Sequence, residues 1–64
     1  PISDREFAVL ELIAQGHSNQ AIADQLHISL HTVKTHARRI NAKLEVKSRT
    51  QAIVRARELG LLQG

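Results

Sequence analysis

Two apolar stripes within residues 19–44, separated by a short break, constrain the fold more than any other feature of the sequence. Each stripe follows the spacing of one face of an α-helix. The first consists of Ile22, Ala23 and Leu26, and the second of Val33, Ala37, Ile40 and Leu44. We therefore expect a short helix over about 19–26, a tight turn, and a longer helix over about 30–44.

Capping residues predict where these helices begin and end, and they predict two more. A Ser followed three residues later by Glu or Gln is a capping-box signature, and Gly commonly follows a helix. The predicted N-caps are Ser3, Ser18, Ser29 and Ser48, and the predicted C-terminal glycines are Gly16 and Gly60. His27 falls at the tight turn, where His is one of the residues that tolerate left-handed backbone angles.

These signals together predict an all-α fold. We expect one domain over residues 1–64 that contains a helix-turn-helix. The predicted helices span about 3–15, 19–26, 30–44 and 49–59. The inward side of the last helix is expected to carry Ala52, Ile53, Ala56 and Leu59.

Size and composition restrict the classes of function. A chain of 64 residues is too short to bury a large core and also enclose a deep substrate cavity. The sequence has no cysteine, and its four histidines lack suitably placed acidic partners, so we expect no metal and no cofactor. Ser29 and Ser48 are explained as caps and His36 has no carboxylate to orient it, so an enzyme is not expected. No apolar run approaches the roughly 18 residues that a membrane span needs.

Positive charge is concentrated in the second half of the chain. The net charge is +3, and between Val33 and Thr50 a single acid, Glu45, stands among several cations. The cations are Lys34, Arg38, Arg39, Lys43, Lys47 and Arg49. Such a cluster is either an ordinary solvated helix face or the electrostatic signature of a polyanion site.

The outward side of the predicted helix over 30–44 favours nucleic acid as the polyanion. At about 100° per residue, the side opposite Val33 carries His31, Thr35, Arg38 and Ala42, with Lys34 and Arg39 at its edges. Lys and Arg can donate to guanine, and a Thr methyl can pack on the thymine methyl. We predict that Lys34, Thr35 and Arg38 contact bases in the major groove of double-stranded DNA, because the first half of such a helix usually enters the groove.

Phosphate contacts are predicted around this helix and at neighbouring helix starts. Backbone N–H groups and cations at such positions bind phosphate readily. The candidates are Asn19, Thr32, His36, Lys43, Lys47, Ser48 and Arg49. Each has a simpler interpretation as well. For example, Thr32 is then just a part of the helix cap, His36 a partly buried spacer, and Lys43 ordinary solvated surface.

The motifs of the whole chain resemble the LuxR-type helix-turn-helix family, also called the NarL/FixJ or GerE type. The matching stretches are Ser3-Asp-Arg-Glu6, residues 9–16, Ser18-Asn19, Ile22-Ala23, Ile28-Ser29, Thr32-Val-Lys-Thr-His36, Lys43-Leu44, Ser48-Arg49 and Gly60-Leu61. The resemblance implies the C-terminal effector domain of a longer bacterial transcription regulator, located in the cytoplasm and on the nucleoid when bound. It places base contacts on the same three residues and makes Glu6 a partly buried acid that steadies the scaffold.

The sequence departs from the family pattern at two positions. Glu45 stands where the family usually has Gly after Lys-Leu. The family pattern therefore does not define the details of the turn into the fourth helix, or one phosphate contact, in this chain. Ala42 stands where the family often has a larger aromatic residue, so the local packing is expected to be looser.

The resemblance also implies a dimer surface on the fourth helix, at Thr50, Val54 and Arg57. In this family that surface pairs two copies on a two-fold-symmetric site, and the simpler interpretation is one exposed valine. Repulsion between arginines across the two-fold axis predicts a weak homodimer that assembles mainly on an inverted repeat of DNA. No small molecule is expected to bind this domain.

A protein-interaction module remains the alternative, for example a helical piece that docks on RNA polymerase or on an acidic partner. Such a helix should expose a large apolar anchor. The predicted outward side of residues 30–44 instead offers His, Thr, Arg and Ala. The salt dependence of binding to duplex DNA distinguishes the two, because phosphate contacts make affinity fall steeply with salt.

Overall fold

The computed structural model describes residues 1–63, and four α-helices account for most of that range. They are α1 (Asp4–Ala14), α2 (Asn19–Leu26), α3 (Leu30–Leu44) and α4 (Arg49–Glu58). No strand occurs between residues 1 and 63. The predicted all-α fold is confirmed, and every predicted helix boundary lies within one residue of the observed one.

Serine side chains cap all four helices, as predicted. At α1 the capping box is complete, because Ser3 Oγ accepts from the Glu6 amide at 3.2 Å and Glu6 Oε1 accepts from the Ser3 amide at 3.0 Å. At α4 only half of the expected box forms. Ser48 Oγ accepts from the Gln51 amide, but Gln51 Oε1 accepts from the amide of Lys47 at 2.9 Å instead of that of Ser48.

Two non-glycine residues in the left-handed conformation end α2 and α3. His27 has φ 57° and ψ 44°, which confirms the conformation predicted for the tight turn. The residue after it, Ile28, donates its amide to the Ala23 carbonyl at 3.1 Å, the long bond of a Schellman motif. Glu45 repeats this arrangement after α3, with φ 59°, ψ 44° and a bond from the Val46 amide to the Asn41 carbonyl.

Helix α3 contacts each of the other three helices, so its inward face forms the centre of the core. Val33 and Ile40 are fully buried, and Leu44 is nearly so. The remaining core residues are Val9, Leu10, Ile13, Ile22, Ala23, Ala52 and Ala56. The scaffold thereby fixes α3 on one side and leaves its opposite side to solvent.

The prediction that Leu59 faces the core is wrong. Leu59 is 51% exposed, because α4 ends at Glu58 and the chain then turns at Gly60, where φ is 76°. The Leu61 amide donates to the Ala56 carbonyl at 2.8 Å, and Leu61 and Leu62 pack against the core instead.

No helix within residues 1–63 has both the length and the apolar character that crossing a membrane requires.

Candidate nucleic-acid interface

The outward face of α3 carries the three predicted base-contacting residues. Lys34 and Arg38 are exposed, and Thr35, the residue after Lys34, is half-buried. Arg38 Nη2 donates to Thr35 Oγ1 at 3.4 Å, so the guanidinium lies along the helix surface next to the threonine. His31 and Ala42 are exposed on the same side. The face therefore carries two cations, and its other side chains project little from the helix. This permits close contact with the floor of a DNA groove.

The start of α3 is rigidly capped. Ser29 Oγ accepts from the Thr32 amide at 3.0 Å, and the two hydroxyl oxygens of Ser29 and Thr32 lie 2.8 Å apart. Since one of these hydroxyls must donate to the other, the Thr32 side chain is already part of the cap. This agrees with the simpler interpretation of Thr32, although its half-buried side chain still borders the helix start.

His36 is half-buried, and its two ring nitrogens differ. Nδ1 is buried and has no hydrogen-bond partner among residues 1–63. A buried atom cannot reach a ligand, so only Nε2 is available for a contact from outside. His36 is therefore partly buried, and Nε2 is its one ring nitrogen open to a contact from outside.

Arg49 links the start of α4 to the start of α2. Its Nη1 donates to Asn19 Oδ1 at 2.8 Å, and its Nη2 donates to the His17 carbonyl. Two predicted phosphate contacts, Arg49 and Asn19, are thus brought together although they lie 30 residues apart in the chain. The side chain of Gln25 reaches His17 Nδ1 at 3.2 Å and extends the network.

Lys43 lies at the other end of α3 and is bound to the scaffold. Its Nζ is 2.6 Å from Glu6 Oε1 and donates to the Pro1 carbonyl at 2.9 Å. Glu6 is only 3% exposed, and the hydrogen bond from Lys43, with that from the Ser3 amide, lowers the pKa of its carboxyl from 4.5 to about 2. The carboxylate therefore stays ionised and neutralises Lys43.

Lys47 and Ser48, the remaining predicted phosphate contacts, are exposed at the start of α4. Within the part of the chain that the structure describes, the Lys47 ammonium has no acidic partner within 4.0 Å. Ser48 caps α4, whose first amides point toward the same region. Lys47 is thus a free cation beside a helix N-terminus, whereas Lys43 is a paired one.

The predicted dimer surface is exposed on α4. Val54 is 51% exposed, and Thr50 and Val54 line a shallow groove with Val46. Arg57 is also exposed but lines a different groove, between α1 and the C-terminal end of α4, opposite Glu11. The structure therefore brings Thr50 and Val54 together in one groove and places Arg57 in another.

Sequence reasoning did not find the partners of Lys43 and Arg49. The resemblance had implied that Glu6 is a buried acid, but nothing in the sequence paired it with a lysine 37 residues away. His17, whose carbonyl accepts from Arg49, gave no signal at all because any residue has a carbonyl. The four histidines do not come together as a metal site: residues 1–63 hold no group of three or more His, Asp or Glu suited to a metal ion.

Comparison with known proteins identifies the family. The family model described as "GerE: Bacterial regulatory proteins, luxR family" matches residues 1–56. The chain belongs to the LuxR family. The resemblance seen in the motifs is therefore confirmed, and the LuxR-family helix-turn-helix is a DNA-binding domain of bacterial transcription regulators.

Several response regulators carry a similar LuxR-family domain. The response regulator protein VraR of Staphylococcus aureus, and that of Staphylococcus epidermidis, are 50% identical to this chain over 62 residues, which is 97% of this chain and 30% of theirs. A crystal structure of the response regulator ChrA in a heme-sensing two-component system superposes with a TM-score of 0.94 at 45% identity. The chain covers 31% of that structure, so it spans about a third of the length of these relatives.

Proposed function

We propose that this LuxR-family domain binds specific sequences of double-stranded DNA by placing α3 in the major groove. Lys34, Thr35 and Arg38 contact base edges there. The exposed, cationic face of α3 carries this proposal, since the opposite face is locked into the core by Val33 and Ile40. A helix held this way presents its first half to the bases with little freedom to tilt.

Phosphate contacts hold the domain in register on the duplex. We assign them to Asn19, Thr32, His36 Nε2, Lys47, Ser48 and Arg49. In this assignment Arg49 also fixes the Asn19 side chain, with which it shares a 2.8 Å hydrogen bond. These contacts supply affinity that does not depend on sequence and that falls with salt.

Lys43 has a different role in this proposal. Its ammonium already donates to Glu6 and to the Pro1 carbonyl, and lysine has three protons to donate. One proton remains for a phosphate, but the charge is neutralised by Glu6. Lys43 therefore acts mainly by holding the C-terminal half of α3 against α1, and it contributes less to salt-dependent affinity than Lys47.

Two copies of the domain occupy an inverted repeat, with half-sites about 10 bp apart. We assign the contact between copies to Thr50, Val54 and Arg57 on α4. Because Arg57 of one copy approaches its own counterpart across the two-fold axis, the dimer is weak off DNA and forms mainly on the site. The domain is the C-terminal effector of a longer regulator that acts on the bacterial nucleoid in the cytoplasm.

Selection of binding sites from random duplex DNA tests this function. The wild-type chain should enrich an inverted repeat, and Arg38→Ala should lose base preference at the positions that Arg38 contacts, with a loss of roughly 1–3 kcal/mol in binding free energy. Arg5→Ala is the matched control, since it removes an exposed arginine of α1, outside α3 and outside the α4 groove that Thr50 and Val54 line. Failure of the wild-type chain to enrich any sequence, or an unchanged preference in Arg38→Ala, would contradict the proposal.

A further inference from the structure

Glu45 is out of place in its surroundings. It is the one acidic residue between Asp24 and Glu58 in the sequence. Its side chain is exposed directly after α3, between the cations Lys43 and Lys47. Neither cation compensates it, because Lys43 pairs with Glu6 and no lysine or arginine among residues 1–63 lies within 4.0 Å of the Glu45 carboxylate.

Two independent physical effects disfavour Glu at this position. Its backbone has φ 59° and ψ 44°, a conformation that suits Gly and strains other residues. Its negative charge lies at the C-terminus of α3, where the helix dipole is also negative. A residue that conflicts with its surroundings in both of these ways, without a hydrogen bond or ion pair that compensates it, points to a functional reason. The charge of Glu45 also lowers the positive potential of a cationic surface, which opposes the binding of an anion.

The position of Glu45 relative to α3 suggests that reason, and this step rests on the proposed function. Arg38 and Glu45 are seven residues apart, or about 10 Å along the helix axis at 1.5 Å per residue. The major groove is about 12 Å wide. With Arg38 on the bases, the end of α3 lies near the sugar-phosphate backbone at the edge of the groove, as does Lys47 at the start of α4.

We infer that Glu45 repels the DNA backbone and lowers the affinity of this surface for duplex DNA of any sequence. The carboxylate opposes the phosphate contacts of Lys47 and of the α4 N-terminus. It leaves the base contacts of Lys34, Thr35 and Arg38 untouched. Because Glu45 weakens the phosphate contacts, the domain depends more on those base contacts for stable binding than it would without this carboxylate.

Glu45→Gln tests the role of the charge, because Gln keeps the size of the side chain and the strain of the backbone. Affinity is measured by fluorescence anisotropy with a duplex of about 12 bp and arbitrary sequence, which is too short for two copies and so excludes dimerisation. At about 50 mM salt the variant should bind about threefold more tightly than wild type, and the difference should shrink at about 200 mM.

Glu11→Gln is the matched control. It removes the same charge from an exposed glutamate of α1 that lines the groove beside Arg57, away from Lys47 and Ser48. Its affinity should equal that of wild type. The inference is overturned if Glu45→Gln binds like wild type, or if Glu11→Gln gains as much, since net charge alone would then explain the effect.

Glu45→Gly separates charge from backbone strain. It should raise DNA affinity as much as Glu45→Gln does, and its thermal unfolding midpoint should exceed that of Glu45→Gln by about 4 °C, because only Gly relieves the backbone strain. If only the Gly variant bound more tightly, backbone geometry would be the cause and the inference would be wrong. Failure of the proposed function looks different, because the wild-type chain would then show no salt-dependent binding to duplex DNA.

Discussion

Replacement of the buried carboxylate Glu6 by glutamine should weaken the fold far more than replacement of an exposed glutamate. Glu6 Oε1 lies 2.6 Å from Lys43 Nζ and accepts from the Ser3 amide at 3.0 Å. Gln retains the shape and one acceptor oxygen, so Glu6→Gln removes mainly the negative charge. Lys43 then loses its counterion while remaining tied to the Pro1 carbonyl.

The structure sets the size of this effect. Lowering of the Glu6 pKa from 4.5 to about 2 corresponds to roughly 3 kcal/mol of preference for the ionised form in the folded state. Because the Lys43 side chain is 38% exposed, water screens the pair, and we expect a loss of about 2 kcal/mol. In a domain of this size that lowers the thermal unfolding midpoint by about 10 °C.

The effect should depend on pH in a defined direction. The pKa of Glu6 is lower in the folded than in the unfolded chain, so its stabilisation is fully present above pH of about 5. It is lost progressively as the pH falls from about 5 to about 2, and below that pH the carboxyl is protonated in both states. Wild type should therefore converge on the Glu6→Gln variant at low pH.

Urea unfolding followed by circular dichroism, at pH 7 and at pH of about 2, measures both predictions. Glu11→Gln is the control, and it should stay within about 0.5 kcal/mol of wild type because Glu11 is exposed. The reasoning is refuted if Glu6→Gln matches wild type at pH 7, or if the difference between them persists undiminished at pH of about 2.

Three further predictions concern binding, capping and dimerisation. Lys47→Ala should reduce the slope of log affinity against log salt by about one, and an unchanged slope would remove Lys47 from the phosphate contacts. Ser29→Ala should lower the free energy of unfolding by about 1 kcal/mol in urea, since it deletes the α3 cap; no loss would contradict that role. Val54→Asp should abolish cooperative occupancy of paired half-sites in a gel-shift titration yet bind a single half-site normally, whereas retained cooperativity would move the dimer contact elsewhere.

The helices could be predicted from the sequence because their signals are local. Periodic apolar residues and serine caps act within a few positions, and so the four helices lie within one residue of their predicted boundaries. His27 was predictable for the same reason. Leu59 was not, because its spacing continues the apolar side of α4 while the helix itself has already ended at Glu58.

The interface could be predicted only in outline. The outward face of α3 follows from helix geometry once Val33 is placed in the core, and the structure has that arrangement. The pairing of Lys43 with Glu6, and of Arg49 with Asn19, joins residues 37 and 30 positions apart. Such contacts depend on how helices pack together, which no local spacing encodes, so the sequence could not separate the paired lysine from the free one.

Nuclear magnetic resonance with an isotopically labelled chain tests the central claim, that α3 enters the major groove, most directly. A duplex selected by the wild-type protein is titrated in, and amide chemical shifts are followed residue by residue. The largest changes are expected at residues 31–39, with smaller ones at 47–49. Changes confined to residues 1–16, with residues 31–39 unaffected, would contradict this claim.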